Sequence, residues 1–63
     1  SLSTRVFRAL RRAGLKTVRD LLEIFEEEGD VGILYLRNIG NKSLAEIKRA
    51  LRRLGFGVPS KDG

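Results

Sequence analysis

The feature that most constrains this chain is the absence of both cysteine and histidine from only 63 residues. Short chains often rely on disulfides or zinc sites for stability, and neither is available here. Any fold must therefore rest on the packing of apolar side chains, and this length suffices for one domain at most. The hydrophobic share of 41% is typical of globular domains and well above that of disordered segments. We therefore expect one small domain with one apolar core.

The same absences argue against several functional classes. Catalysis is not expected, because the chain lacks the usual nucleophile and base, places no pair of acids for a metal, and leaves little volume for a cleft. No metal or cofactor is expected either. No apolar run approaches the roughly 20 residues of a membrane span, and nothing resembles a signal peptide. The absence of cysteine fits a reducing cytoplasm, and the missing initial Met suggests excision from a longer chain.

The charges are distributed unevenly along the chain, whose net charge is +5. Before Asp20 every charged residue is basic, and most acids then fall between Asp20 and Asp30. Basic residues return and continue through Arg53. A folded chain with this pattern has a positive side, which attracts nucleic acid or other anionic surfaces. Solvation of helix faces is the alternative explanation for the same charges.

Apolar residues recur with the helical period in four segments, so we expect four helices and no sheet. Each segment follows a residue that can cap a helix, namely Ser3, Thr17, Asp30 and Ser43. Thr17 and Asp20 also have the spacing of a capping box, with Asp in the place of the usual Glu. Glycines end three of the helices, at Gly14, Gly29 and Gly55. The short third helix is expected from Val31 to Leu36.

The segment between the third and fourth helices has the pattern of a helix-hairpin-helix. Its tight turn reads Asn38-Ile39-Gly40, where that motif usually has Gly-apolar-Gly, and Asn reaches left-handed backbone angles at little cost. Gly40 has no Cβ, so backbone N–H groups can approach a ligand while Ile39 enters the core. Amides at a helix N-terminus form a phosphate site, to which Lys42 adds a cation and Ser43 a hydroxyl. An ordinary capped turn between helices is the alternative.

These elements predict an all-α, compact bundle of four to five short helices that contains the helix-hairpin-helix. The domain is expected over residues 1–56, with a flexible C-terminal tail over residues 57–63. The apolar face of the first helix includes Phe7 and Ala13, and that of the fourth includes Leu54. The residues expected to be buried are Val6, Leu10, Leu21, Leu22, Ile39, Ile47 and Leu51.

Two segments in the right order resemble the C-terminal domain of bacterial RNA polymerase alpha subunits. Residues 2–5, 10–18 and 20–22 resemble the start of that domain, and residues 37–48 and 51–55 resemble its closing helix-hairpin-helix. The resemblance implies binding to the minor groove of A/T-rich upstream promoter DNA, and contacts with sigma factor and transcription activators. By position, it assigns the groove-inserting arginine to Arg5 and an orienting carboxylate to Glu46. Backbone and phosphate contacts are assigned to Asn38, Gly40, Lys42 and Ser43.

The sequence departs from the family pattern in two places. Arg8 stands where the family usually has an Asn that joins the groove contacts, so Arg8 is expected either to strengthen nonspecific DNA binding or to alter that contact. Residues 25–35 form a stretch about four residues longer than the family pattern, roughly one helical turn. That stretch lies where the family meets some of its protein partners, so those contacts are not carried over.

The physics of DNA grooves supports the same reading. A narrow A/T-rich minor groove has an enhanced negative potential, and arginine is the side chain best suited to enter it. Arg5 and Arg8 share one face of the first helix, with Arg12 one turn further on. The hairpin amides would hold phosphate while these arginines enter the groove. Other arginines are expected to be solvated surface charges, namely Arg11, Arg49 and Arg53.

Two alternative functions remain open from the sequence. Helix-hairpin-helix domains also serve as protein-interaction modules, and as DNA-binding modules of repair or recombination proteins. An arginine at the position of Arg5, ahead of the hairpin, favours the polymerase type over the repair type. Salt-dependent DNA binding would separate both DNA-binding readings from the protein-interaction module.

Overall fold

The computed structural model describes residues 2–58, which form four α-helices. Their bounds are Thr4–Arg12 for α1, Val18–Glu28 for α2, Asp30–Leu34 for α3 and Asn41–Arg53 for α4. The described residues contain no strand, and the predicted all-helical class is confirmed. Most of the predicted tail, residues 59–63, lies outside the described residues.

The first two helices begin where local chemistry predicts. The Ser3 hydroxyl accepts a hydrogen bond from the N–H of Val6 and caps α1. At the start of α2, the Thr17 hydroxyl accepts from the Asp20 N–H at 3.1 Å, and the Asp20 carboxylate accepts from the Thr17 N–H at 3.1 Å. The predicted capping box is therefore confirmed. Gly14, with a φ of 88°, follows the end of α1 in a conformation that other residues rarely adopt.

The predicted cap and bounds of the third helix are wrong. Asp30 is the first residue of α3 rather than its cap, and it makes no capping hydrogen bond. Its carboxylate instead pairs with the ammonium group of Lys48 at 2.7 Å, which ties α3 to α4. The helix ends at Leu34, two residues early, because the backbone tightens into the hairpin. There the Leu36 N–H donates to the Ile33 carbonyl at 3.0 Å, three residues back.

The predicted cap of the fourth helix is also wrong. Gly40 occupies the N-cap position with an extended backbone, and α4 begins at Asn41. The Gly40 carbonyl accepts a hydrogen bond from the N–H of Leu44 at 2.9 Å, which closes the first turn of the helix. Ser43 is thus the third residue of the helix and cannot cap it. The first turn of α4 therefore follows the hairpin directly.

The core lies where the four helices and the hairpin meet. Phe25, Ile33 and Ile47 are its most deeply buried large side chains. All but one of the predicted core residues are buried: Val6, Leu10, Leu21, Ile39, Ile47 and Leu51. Leu22 is only partly buried, because the inward face of α2 is centred on Leu21 and on Phe25 one turn later.

Three apolar residues that the helical period places on buried faces are instead exposed. Phe7 is 51% exposed, because the buried stripe of α1 runs through its neighbours Val6 and Leu10. The guanidinium of Arg11 covers its ring at 5.7 Å from the centroid. Ala13 and Leu54 follow the last turns of α1 and α4, where the helical face ends.

Gly32 explains how α3 can pack closely on α2. It is buried, and a Cβ built on it would lie 2.7 Å from the Glu28 Cβ and 2.7 Å from the Ile24 Cγ2. No real Cβ is accommodated at that distance, so the position needs glycine despite its poor helix propensity.

Candidate nucleic-acid interface

The hairpin turn has the backbone geometry that the sequence predicts. Asn38 has a φ of 66° and is the one non-glycine residue among residues 2–58 with a positive φ. Its left-handed conformation is therefore confirmed. The side chain of Ile39 is buried in the core, and its N–H donates to the Leu36 carbonyl at 3.2 Å. The turn is thus held from inside the protein, while Asn38 and Gly40 are exposed.

Gly40 borders open space. Apart from Gly40 itself and its two chain neighbours, no described atom lies within 4 Å of a Cβ built on it, and its φ of −115° is accessible to any residue. Neither packing nor backbone conformation therefore requires glycine at this position. The N–H groups in the first turn of α4 have no partners within the helix, as at any helix N-terminus. Within residues 2–58 no side chain caps them either. These groups carry the positive end of the helix dipole.

Lys42 and Ser43 belong to this first turn of α4. Lys42 is exposed and Ser43 is partly buried. A cation and a hydroxyl thus stand beside the first-turn N–H groups, the combination that binds an anion such as phosphate. Lys42 and Glu46 are four residues apart and share one face of α4.

Three arginines of α1 face the hairpin across a surface groove, which we call the arginine groove. Arg5, Arg8 and Arg12 line it together with Ala9 and, from the hairpin, Asn38; its volume is about 490 Å³. The predicted shared face of the three arginines is confirmed. None of the described residues lining the groove is acidic, so its charge is uniformly positive.

Glu46 connects α4 to the start of α1. Its carboxylate accepts a hydrogen bond from the backbone N–H of Ser3, the residue that caps α1. This bond lowers the pKa of Glu46, because it favours the charged carboxylate. In the described part of the protein, no ion pair joins Glu46 to Arg5. Glu46 therefore positions the helix end that carries Arg5, and direct orientation of the guanidinium stays a prediction.

The structure brings together part of the predicted site. Arg5, Arg8 and Asn38 line one groove, while the other predicted DNA contacts, Gly40, Lys42 and Ser43, follow it in sequence at the start of α4. Arg12 also lines this groove, as expected from its spacing of four residues from Arg8, which places it on the same face of α1. The described residues contain no group of side chains suited to a metal ion and no helix able to cross a membrane.

Comparison with known families shows to which family of proteins the sequence belongs. The family profile that describes the C-terminal domain of the alpha subunit of bacterial RNA polymerase matches residues 1–53, which include α1, the hairpin and α4. The protein belongs to this family. The resemblance found in the sequence is thereby confirmed, and the alternative of a module from a repair or recombination protein is replaced by membership of the alpha-subunit family.

A curated relative agrees with this assignment. The "DNA-directed RNA polymerase subunit alpha" of Bacillus velezensis (strain DSM 23117 / BGSC 10A6 / LMG 26770 / FZB42) is 41% identical to the protein over 61 residues. The aligned region covers 97% of this sequence and 18% of the relative, so the sequence spans less than a fifth of that protein's length. No solved structure matches the sequence significantly. Transcription and DNA binding are the functions that fit this family of C-terminal domains.

Proposed function

We propose that this C-terminal domain of the alpha-subunit family binds the minor groove of A/T-rich DNA upstream of promoters. The observation that carries the proposal is the arginine groove, in which Arg5, Arg8 and Arg12 of α1 face Asn38 of the hairpin. Guanidinium groups suit a narrow minor groove, whose negative potential is strongest in A/T-rich sequence. The positive lining of the groove and the family membership support the same ligand.

The hairpin has the complementary task of holding the phosphate backbone. Four features together form a phosphate-binding surface: the first-turn N–H groups of α4, the open space at Gly40, the Lys42 ammonium and the Ser43 hydroxyl. Phosphate contacts carry no sequence information, but they fix the orientation of the domain on the duplex. Arg5 then supplies a modest preference for A/T pairs, and Arg8 adds affinity that does not depend on sequence.

The domain acts in this proposal as a binding, non-catalytic part of a longer alpha subunit in the bacterial cytoplasm, at the nucleoid. The name of the similar Bacillus velezensis protein supports that setting. Sigma factor and transcription activators are proposed as its protein partners, on the strength of the family resemblance. The stretch between Phe25 and Tyr35, which is longer than in the family pattern, is not included in these proposed contacts.

A titration with matched A/T-rich and G/C-rich duplexes, followed by fluorescence anisotropy at two salt concentrations, tests the proposal. We expect tighter binding to the A/T-rich duplex, and a steep loss of affinity for both duplexes as salt rises. Equal affinities for the two duplexes would contradict minor-groove reading. A salt-independent interaction would contradict phosphate binding as well.

Gly40 allows the phosphate site to be tested without disturbing the fold. Gly40→Ala should leave the free energy of unfolding nearly unchanged, because its Cβ meets open space. The same Cβ should keep phosphate away from the amides and weaken DNA binding about tenfold, as expected for the loss of one hydrogen bond to a charged group. Gly57→Ala is the matched control, since its Cβ also meets open space. If both variants bind DNA like the original protein, the hairpin is not the phosphate site.

A further inference from the structure

A second concavity continues the arginine groove on the far side of Asn38. It has a volume of about 690 Å³ and shares Ala9, Arg12 and Asn38 with the arginine groove. Its own lining residues are Ala13, Tyr35, Leu36 and Arg37. We call it the Tyr35 groove. Because three residues border both concavities, they form one continuous surface that crosses α1, the end of α3 and the hairpin.

Tyr35 is not part of the core, so packing does not explain why an aromatic residue stands at this position. It follows the last residue of α3 and is 83% exposed, more than any other large hydrophobic residue among those described. A solvated aromatic ring beside the guanidinium groups of Arg12 and Arg37 is suited to contact a ligand. None of the described residues lining the groove is acidic, so the ligand that its charge attracts is an anion.

Arg37 lies close to the part of the hairpin that is anchored in the core. It directly precedes Asn38, whose left-handed conformation is held by the buried Ile39. The backbone of Arg37 is therefore fixed beside the groove, while its side chain is exposed. A cation held in this way loses little backbone entropy when it binds an anionic ligand.

We propose that the Tyr35 groove extends the DNA interface and binds the sugar–phosphate backbone next to the base pairs that the arginine groove contacts. Arg37 donates to a phosphate oxygen, and the Tyr35 ring packs on a deoxyribose while its hydroxyl donates to the same backbone. An acidic protein segment offers similar charge, but the continuity with the arginine groove favours DNA. The inference rests on the proposed DNA-binding function.

The test uses the whole protein and an A/T-rich duplex, with binding measured by anisotropy over a series of salt concentrations. Arg37→Ala should reduce the salt dependence by about one unit of slope, because one phosphate contact is lost. Tyr35→Ala should leave the slope unchanged and weaken binding about tenfold, the loss expected when roughly 50 Å² of apolar ring is no longer buried. Tyr35→Phe, which removes only the hydroxyl, should fall between Tyr35→Ala and the original protein.

Val31→Ala is the matched control, since Val31 lies on α3, is 59% exposed and borders neither groove. The extension is wrong if Tyr35→Ala and Arg37→Ala behave like Val31→Ala while Arg5→Ala weakens binding; the proposed function then stands alone. If Arg5→Ala also has no effect, the proposed function fails with it. Unchanged DNA binding together with a loss of binding to a polyglutamate probe would assign the groove to an acidic protein and overturn the extension.

Discussion

The geometry of the hairpin turn depends on the left-handed backbone conformation of Asn38. Its φ of 66° lies in a region that residues with a Cβ enter only at a cost of about 1–2 kcal/mol, and Asn lessens that cost with its short polar side chain. The strain is offset by Ile39, which is buried in the core immediately afterwards. The exposed part of the turn is therefore shaped by a side chain that no ligand touches.

Replacement of Asn38 should separate its backbone role from its side chain. Asn38→Ala should lower the free energy of unfolding by about 1 kcal/mol, because alanine pays the full cost of the left-handed conformation. Asn38→Gly should be at least as stable as Asn38→Ala, since glycine adopts this conformation without strain. Urea denaturation followed by circular dichroism measures both. An Asn38→Ala protein as stable as the original protein would show that the turn is not strained.

Sequence reasoning succeeded for residues whose partners are close in the sequence. Thr17 and Asp20 lie three residues apart, and their capping box formed as predicted. Asp30 is different, because its carboxylate is taken by Lys48, a residue 18 positions away on α4. No local pattern reveals such a partner. Asn38 could be predicted because its left-handed conformation follows from the residue types of the turn itself.

Among the elements, α1 is positioned by its N-terminal end. Glu46 of α4 holds the backbone of Ser3, and Ser3 in turn caps α1 two residues before Arg5. At the start of α2, Asp20 accepts hydrogen bonds from the N–H groups of Lys16 and Thr17. Both carboxylates accept these hydrogen bonds more strongly in their charged form, so both helix starts depend on pH.

The hydrogen bonds to these carboxylates predict a loss of stability in acid. Backbone hydrogen bonds lower the pKa of Asp20 below its ordinary 3.8 and that of Glu46 below its ordinary 4.5. Groups with lowered pKa values stabilise the fold above their ordinary values, and this stabilisation is lost as the pH falls through the lowered values. We therefore expect stability from these groups to be constant from neutral pH to about pH 5 and to fall below that.

Urea denaturation at several pH values measures this dependence. The double variant Asp20→Asn, Glu46→Gln should lose less stability on acidification than the original protein, because neither replacement can be protonated in this range. Glu23→Gln is a suitable control, since Glu23 is exposed on α2 and forms no part of either helix start. Identical acid dependence in the original protein and the double variant would contradict the assigned role of the two carboxylates.

The existence of the helices could be predicted from periodicity, but their ends and their packing could not. The ends of the third helix were misplaced by one or two residues and the start of the fourth helix by three, because the backbone of the hairpin decides both positions. The need for glycine at position 32 became visible only once α3 was seen against Ile24 and Glu28. By its poor helix propensity alone, glycine at this position argues against a helix that in fact forms.

At the scale of the whole molecule, a single small core supports the entire surface. Phe25, Ile33 and Ile47 form its centre, and Leu51 is only 2% exposed. A domain of this size is stable by a few kcal/mol, so the loss of one core side chain matters to all of it. The arginine groove and the hairpin depend on this core, because Val6 of α1 and Ile39 of the hairpin both belong to it.

Two leucines near the C-terminal end of α4, Leu51 and Leu54, provide a matched test of the core. Leu51→Ala should lower the free energy of unfolding by about 2–5 kcal/mol, through lost burial and the cavity left behind. Leu54→Ala should cost less than about 1 kcal/mol, since Leu54 is 64% exposed. Urea denaturation of both variants measures the difference. Similar losses for the two variants would contradict the core as described.

The candidate site shows the same division between local and tertiary information. Helical spacing alone places Arg5, Arg8 and Arg12 on one face of α1. Their position opposite Asn38 depends on how α1 packs against the hairpin, and only the family resemblance implied it before the structure. Two residues of the Tyr35 groove, Tyr35 and Leu36, follow the end of α3 at Leu34, whereas the sequence placed both within that helix.

The central claim is that Arg5 reads the minor groove, and a comparison with Arg53 tests it most directly. Both are exposed arginines, but Arg53 ends α4 and borders neither groove. Arg5→Ala should weaken binding to an A/T-rich duplex about tenfold or more, and binding to a G/C-rich duplex by less. Arg53→Ala should change both affinities little.

Arg8 lies in the same groove and is able to replace part of the contact, so the double variant Arg5→Ala, Arg8→Ala completes the series. Anisotropy at one fixed salt concentration measures all the proteins on both duplexes. We expect a loss of A/T preference with Arg5→Ala that deepens in the double variant and is absent in Arg53→Ala. Equal losses for Arg5→Ala and Arg53→Ala on both duplexes would contradict it, because binding would then follow total charge alone.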